Sequence, residues 1–263
     1  MDMSDREISV LEKIRSMISD KGLKDVKMFA YGITDSTNTR AREYAEAGGA
    51  MPAVFIADGQ TEGRGRRGRA FDSAMGAGLY VSFLLRPEKK GLDGAMLTVK
   101  AAVDTCLALE EVCGLSASIK WVNDILVGQR KLAGILAEGR ADALGGFEYA
   151  ILGIGINLNK RAFPEELCKI VTTVEDETGK RPDRELLAAA LIERVLSERR
   201  GSDIEEYRRR SAVLGRSVTV RRLSGEEFSA RAVAITDGGA LAVVREGGVR
   251  EELISAEVSI KMA

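Results

Sequence analysis

The sequence predicts an α+β protein, a mixed β-sheet backed by helices, followed from about residue 214 by a small antiparallel β-barrel. Three patterns predict it. Helical apolar spacing precedes and follows a central block of short apolar runs bounded by turn residues, as an α+β order requires. Residues 118–158 read as consecutive strands. Beyond Leu214, short strands alternate with Gly225, Gly238-Gly239 and Gly247-Gly248 at intervals of about ten residues, the rhythm of a small barrel. At 263 residues the chain can bury a sizeable core, and we divide it into units 1–213 and 214–263, the second small enough to lean on the first.

Taken in order, Ser4-Asp5-Arg6-Glu7 has capping-box spacing, and Ile8, Leu11, Ile14 and Ile18 follow on one helical face until Lys21-Gly22. Lys27 to Ile33 predicts a strand, and the polar turn Thr34-Asp35-Ser36-Thr37-Asn38 caps a second helix through Glu46. Strands at 53–58 and 79–85 flank a Gly/Arg-rich segment. Residues 94–113 carry apolar side chains at helical spacing and end at Gly114. Strands follow at Ser118 to Val127, Lys131 to Glu138 and, after the turn Gly145-Gly146, Phe147 to Leu158. Helices return at about 183–199, with Leu186, Leu187, Leu191, Ile192 and Val195 as the apolar face, and at 203–213. Ser217–Val220, Phe228–Ile235, Ala240–Val244 and Val249–Ile254 complete the chain as strands.

Composition narrows the chemistry. Lys+Arg total 39 against Asp+Glu 40, so no global field draws the chain to nucleic acid or anionic membrane. No apolar run reaches the roughly eighteen residues of a membrane span, and a cytoplasmic location is expected. Three cysteines, Cys106, Cys113 and Cys168, without a C-x-x-C pair, point to neither a disulfide framework nor a zinc knuckle. The absence of histidine excludes Ser-His-Asp, Cys-His and His-ligated metal chemistry, leaving Lys, Arg, carboxylates and backbone dipoles.

The segment Gly59 to Arg69 places four glycines and four arginines in eleven residues, a composition suited to wrapping N–H groups and guanidinium forks around phosphate or carboxylate oxygens. By itself it is equally a flexible linker or a nucleic-acid-clinging Gly/Arg segment. Its place between two apolar strands argues for a loop in a folded site. It lacks the Gly-Lys-Ser/Thr ending of a Walker A loop. Lys120-Trp121-Val122-Asn123-Asp124 adds a lysine, an amide and a carboxylate along a predicted strand. Lys131-Leu132-Ala133-Gly134-Ile135-Leu136 supplies a second lysine, and Gly153-Ile154-Gly155-Ile156-Asn157 puts two glycines on one face, where a ligand can approach the backbone.

In this order, together with Asp35-Ser36-Thr37-Asn38, these segments resemble the biotin protein ligases from about residue 30 to the end, including a tail from Leu214-Gly215-Arg216 to Glu257-Val258-Ser259-Ile260 that is similar to that family's SH3-like domain. The resemblance implies a class II synthetase-like core, related to the biotin and lipoate ligases, with ATP, Mg2+ and biotin as reactants. The implied chemistry is two-step ligation: biotin and ATP give biotinyl-5'-AMP and pyrophosphate, and a lysine of a biotin carboxyl carrier protein then takes the acyl group. Carried over residue by residue, Ser36, Thr37, Asn38, Gln60, Arg64, Gly65, Arg66, Lys120, Ile125, Gly153 and Gly155 would bind biotin. Arg66, Arg69, Asn123, Lys131 and Asn157 would face the nucleotide, Asn157 near its magnesium; no resident metal is expected. Lys120 and Arg66 would be catalytic, answering the repulsion between a carboxylate and a triphosphate with fixed cations. The loop is expected to be mobile without ligand and ordered over the adenylate.

The chain departs from the family at Val122, where proline is usual, at Phe71, near a usual tryptophan, and at Glu62, where alanine is usual. Only thirty-five residues precede Ser36, so no sequence-specific DNA binding is expected; the resemblance leaves a homodimer open. A lipoate or octanoate ligase or transferase is the neighbouring alternative, and a nucleic-acid-binding module using the arginine loop is the alternative from another class.

Overall fold

The computed structural model describes residues 4–86, 94–141, 147–197 and 203–260; the expected turn at Gly145-Gly146 lies outside them. Helix α1 (Asp5–Met17) opens on the expected capping box, Ser4 accepting from the Glu7 N–H while the Glu7 carboxylate accepts from the Ser4 N–H. Strand β1 (Lys27–Thr34), helix α2 (Thr37–Glu46) and strand β2 (Ala53–Gln60) follow, then β3 (Gly78–Leu85) and the long helix α3 (Gly94–Cys113), closed by Gly114 at φ 63°. Next come β4 (Ser118–Lys120), β5 (Asp124–Val127), β6 (Arg130–Ala141) and β7 (Phe147–Asn157). Helices α4 (Val174–Thr178), α5 (Arg184–Leu196) and α6 (Asp203–Arg209) lead into β8 (Ser217–Arg221), β9 (Glu227–Ile235), β10 (Leu241–Arg245), β11 (Arg250–Leu253) and β12 (Glu257–Ile260).

The first seven strands form one mixed sheet in the order β1-β2-β3-β7-β6-β5-β4, with β1 and β2 parallel and every other neighbour antiparallel. The last five form an antiparallel sheet in the order β11-β10-β9-β8-β12. Side chains alternate across the large sheet. On one face Ile56, Val81, Ile119, Ile125, Ile135 and Ile154 are buried in an apolar core shared with α1, α3 and α5 and continuous with Val218, Leu241 and Val258 of the small sheet. On the other face, helix α2 packs mainly on the β2, β3 and β7 corner, where Ala41 meets Phe55, Leu84 and Ile151. The β5–β6–β7 portion of that face is left to the arginine loop.

Three sequence expectations are revised. The predicted strand 118–127 is a hairpin, with a turn at Trp121-Val122-Asn123 and Lys120 paired to Asp124 across it; the Trp121–Val122 peptide is cis. Helix α6 ends at Arg209 rather than 213, because the chain leaves it to pair with the edge strand: the Ile119 N–H donates to Arg210 O at 2.8 Å and the Ala212 N–H to Ile119 O at 2.8 Å. Finally, Leu186 lies outside the apolar face of α5 at 40% exposure, whereas Leu187 is fully buried.

That contrast is measurable by chemical denaturation. Leu187→Ala should lower unfolding free energy by about 2–5 kcal/mol through lost burial and a residual cavity, while Leu186→Ala should change it by less than about 1 kcal/mol; equal effects would contradict the helix rotation described.

Candidate active site

The two ends of the parallel strand pair build the first wall. Strand β1 delivers Ser36 to the N-cap of α2, but its side chain makes no cap hydrogen bond, so the hydroxyl is free toward the cavity it lines. Strand β2 delivers Gln60, whose Oε1 accepts from the Thr37 N–H at 2.8 Å and from Thr37 Oγ1 at 3.1 Å. Its Nε2 donates to Ser73 Oγ at 2.9 Å, which in turn donates to Phe71 O at 2.9 Å. Ser82 Oγ lies 2.7 Å from Thr37 Oγ1 and 2.6 Å from Asn38 Oδ1. Ser36, Thr37 and Asn38 are nearly fully buried, so this polar row is fixed before any ligand arrives.

The floor is the face of β6 and β7 left bare by α2. Gly134 pairs with Gly155 and Leu136 with Gly153, and all four line the cavity. The glycines admit protein side chains rather than leaving open space. A Cβ on Gly153 would lie 2.3 Å from Asn38 Oδ1, and one on Gly155 would lie 2.6 Å from the Phe71 ring. Phe71 stacks edge-on to Tyr80 at 6.4 Å, and Lys131 Nζ sits 5.8 Å from the Phe71 centroid. Phe71 thus walls the cavity.

The arginine loop forms the roof as a short hairpin. Arg64 bridges to Ala70, the Gly65 N–H donates to Arg69 O at 2.7 Å, and the Phe71 N–H donates to Gly63 O at 2.8 Å. Arg67, at φ 60°, and Gly68, at φ 71°, turn the tip. The loop is tied down at several points: Arg64 pairs with Glu138 at 3.0 Å, and Arg69 and Arg67 pair with Glu257 of β12 at 2.5 and 3.8 Å. The Arg69 hydrogen bond and the Arg67 charge hold the Glu257 carboxyl below its usual value. Glu62 is exposed, and among the described residues its carboxylate forms no ion pair.

The far wall is the Trp121–Asn123 turn. Asn123 clamps it to β6, its Nδ2 donating to Ile135 O at 2.8 Å while the Ile135 N–H donates to Asn123 O at 3.0 Å. Trp121 Nε1 donates to Gly239 O of the small sheet at 2.9 Å, and Tyr207 Oη to Val122 O at 2.9 Å. The turn presents Lys120 and Asp124 to the cavity.

Six cations line this one cavity, and their partners divide them. Arg64, Arg67 and Arg69 have the carboxylates already named, and Lys131 Nζ pairs with Asp124 at 2.6 Å. Lys120 and Arg66 have no carboxylate within ion-pair distance among the described residues. Arg66 is held by neutral groups, Asn123 Oδ1 at 3.2 Å and Ser255 Oγ at 3.4 Å, and burial with the neighbouring Arg67 charge lowers its pKa. A guanidinium remains charged under such a shift, so the two unmatched cations mark where an anion is most strongly drawn.

Of the residues expected from sequence, Ser36, Thr37, Asn38, Gln60, Arg64, Gly65, Arg66, Arg69, Lys120, Asn123, Lys131, Gly153 and Gly155 converge on this cavity. Two do not. Ile125 neighbours Asp124 on β5, and strand alternation turns it into the helix-backed core, where it is fully buried. Asn157 lies one step beyond Gly155, paired with Gly78, over which the Tyr80 ring leans; it is buried outside the cavity lining. Sequence reading missed Glu138 and Ser82 and gave Glu257 no role. The period-two row Gly134, Leu136, Glu138 signals the first; nothing local signals Ser82.

The model of the biotin/lipoate A/B protein ligase family matches residues 30–157, and that of the biotin protein ligase C-terminal domain matches 213–261. The bifunctional ligase/repressor BirA of Bacillus subtilis is 32% identical over 246 residues, covering 88% of this chain and 73% of the relative. The biotin–[acetyl-CoA-carboxylase] ligase of Mycobacterium tuberculosis is 30% identical, covering 85% of this chain and 84% of that one. Among solved structures, the biotin protein ligase from Aquifex aeolicus in complex with biotin and ATP superposes with a TM-score of 0.75 at 29% identity, covering 90% of this chain and 99% of that one.

The close approach of Phe71 to Gly155 gives a paired test. Gly155→Ala should destabilise the protein by about 1–3 kcal/mol through overpacking, and adding Phe71→Ala should recover most of that loss. Thermal melts of the two single variants and the double variant would reveal no coupling if the ring lay elsewhere.

Proposed function

Because this chain belongs to the biotin/lipoate A/B protein ligase family, we propose that it is a biotin protein ligase, joining biotin to ATP and passing the acyl group to a lysine of a biotin carboxyl carrier protein. The observation that carries this reading is the pair of unmatched cations, Lys120 and Arg66, facing a buried polar wall across a floor of glycines and Leu136. That geometry suits a molecule with a polar ring system at one end and a carboxylate at the other. Ser36, Thr37 and Gln60 are the donors and acceptors for the ureido ring. Phe71 and Leu136 flank its apolar parts.

In the first step a biotin carboxylate oxygen attacks the α-phosphorus of ATP, the bond to the bridging oxygen breaks, and pyrophosphate leaves. Two anions must meet, so Lys120 and Arg66 neutralise the carboxylate and the equatorial phosphate oxygens as the new bond forms. Lys131 and Arg69 lie toward a wider groove that continues from the cavity past Asp124 and Glu257, the direction in which the rest of the nucleotide extends. In the second step the acceptor lysine, as the free amine, attacks the acyl carbon and AMP departs. The closed hairpin over the cavity excludes water from the mixed anhydride.

No group of three or more His, Cys, Asp or Glu that could hold a metal ion is present among the described residues. Magnesium would arrive with the nucleotide and would screen the phosphate charge. The biotin reading is preferred to a lipoate ligase because residues 213–261 match the C-terminal domain of biotin protein ligases. A nucleic-acid module is disfavoured because three of the four loop arginines are already paired to carboxylates within the chain. No helix among the described residues is long and apolar enough to cross a membrane.

The reaction is tested by incubating the protein with biotin, MgATP and a carrier domain and following the carrier's mass. A gain of one biotinyl group on one lysine is expected, with pyrophosphate exchange stimulated by biotin and not by lipoate; stimulation by lipoate alone would reverse the assignment. Lys120→Ala should reduce exchange about 10²- to 10³-fold with folding intact, and full retained activity would remove Lys120 from the chemistry. Biotin with ATP should also slow tryptic cleavage within residues 64–69, and unchanged cleavage would argue that the loop does not close on ligand.

A further inference from the structure

Glu138 is a carboxylate just beyond the residues that line the cavity. It is the third residue of the row Gly134, Leu136, Glu138 on β6, of which the first two line the floor. Its Oε2 accepts from Asn38 Nδ2 at 2.8 Å, and its Oε1 accepts from Arg42 at 3.2 Å and forms an ion pair with Arg64 at 3.0 Å. The side chain is 21% exposed, so these bonds are partly shielded from water.

Those contacts bring three elements together at one carboxylate. Asn38 and Arg42 belong to α2, Arg64 to the loop, and Glu138 to the sheet. From Arg64 an ion pair to Glu138 continues through hydrogen bonds to Asn38, Ser82 and Thr37, whose backbone N–H donates to Gln60, the residue from which the loop departs. Glu138 therefore closes a ring that returns the loop to its own root. It also orients Asn38. A carboxylate only accepts, so the Asn38 amide must donate through Nδ2 and keep Oδ1 toward Ser82, above Gly153.

We propose that Glu138 is a positioning residue of the biotin site, setting biotin affinity by locking the α2 wall to the first arginine of the loop without touching the reacting atoms. The proposal rests on the ligase reading above. Replacing Glu138 with Gln leaves one accepting oxygen where two are required, so one of the Asn38 or Arg42 donors meets an NH2 group. Charge is lost as well, leaving Arg42 and Arg64 without their shared counter-ion. The nucleotide end, held by Glu257 and Asp124, is unaffected by either change.

The test uses Glu138→Gln and Glu138→Ala in the full chain. Biotin-dependent pyrophosphate exchange should show the KM for biotin raised about tenfold while the KM for ATP stays within about twofold. Ligand-free Glu138→Gln should be cut by trypsin after Arg64 several-fold faster than wild type, with cleavage after Arg67 and Arg69 unchanged. Unaltered biotin KM and unaltered cleavage would overturn the proposal. So would a uniform loss in which both KM values and the melting temperature move together, since that is a structural effect only. Wild-type protein without biotin-dependent exchange would instead defeat the ligase reading, and this proposal with it, whereas active wild type with unchanged variants defeats the proposal alone.

Discussion

Six cations crowd one cavity in a chain whose net charge is −1, and the rest of the site depends on how their mutual repulsion is met. Four are matched to carboxylates drawn from three strands, Asp124 on β5, Glu138 on β6 and Glu257 on β12. Each pairing also fastens one covering element to another, so charge balance and loop geometry are the same problem. The two cations left over sit on the elements those pairings fix in place. Arg66 projects from the pinned hairpin, and Lys120 from the pinned turn. A partly exposed ion pair contributes little to global stability, but here the pairs select one loop conformation out of many that a glycine-rich segment can adopt.

The small C-terminal sheet takes part in this arrangement. Its β12 strand supplies Glu257, Ser255 accepts from Arg66, and Gly239 O receives the Trp121 indole N–H. The apolar core runs without interruption beneath both sheets. Loss of that sheet would therefore release the loop tip and the Trp121 turn together, which is why a cavity set mainly in the large sheet responds to residues far along the chain.

Fold and chemistry were not equally legible in the sequence. The capping box at Ser4, the long helix ending at Gly114 and the glycine-spaced terminal strands follow from local rules and appear where those rules place them. The Gly/Arg segment, the Lys120 motif and the paired glycines converge because each is attached to a strand end or face of one sheet. Local rules fail where partners are distant. The hairpin at Trp121-Val122-Asn123 is held by Ile135, Tyr207 and Gly239, none of them near in sequence. The shortened α6 reflects competition from the Ile119 edge. Ile125 was misplaced because strand periodicity was not carried through the turn, which fixes Asp124, not Ile125, on the cavity face.

A histidine-free site also constrains how the chemistry is controlled. One of the two groups that face the anion is the guanidinium of Arg66, which stays protonated in proteins, so its attraction for the substrate is present near neutrality. The loop clasp has the same character. Glu257 carries a lowered pKa in the folded protein, so its contribution is fully present above the ordinary carboxylate value of 4.5 and is lost only as pH falls through the lower folded-state value. Protonation of that carboxylate is thus an acid-side event. What remains near neutrality is control by occupancy: an anion arriving between Lys120 and Arg66 supplies the countercharge the fold withholds from those two residues, and the hairpin is held down on both sides when it does.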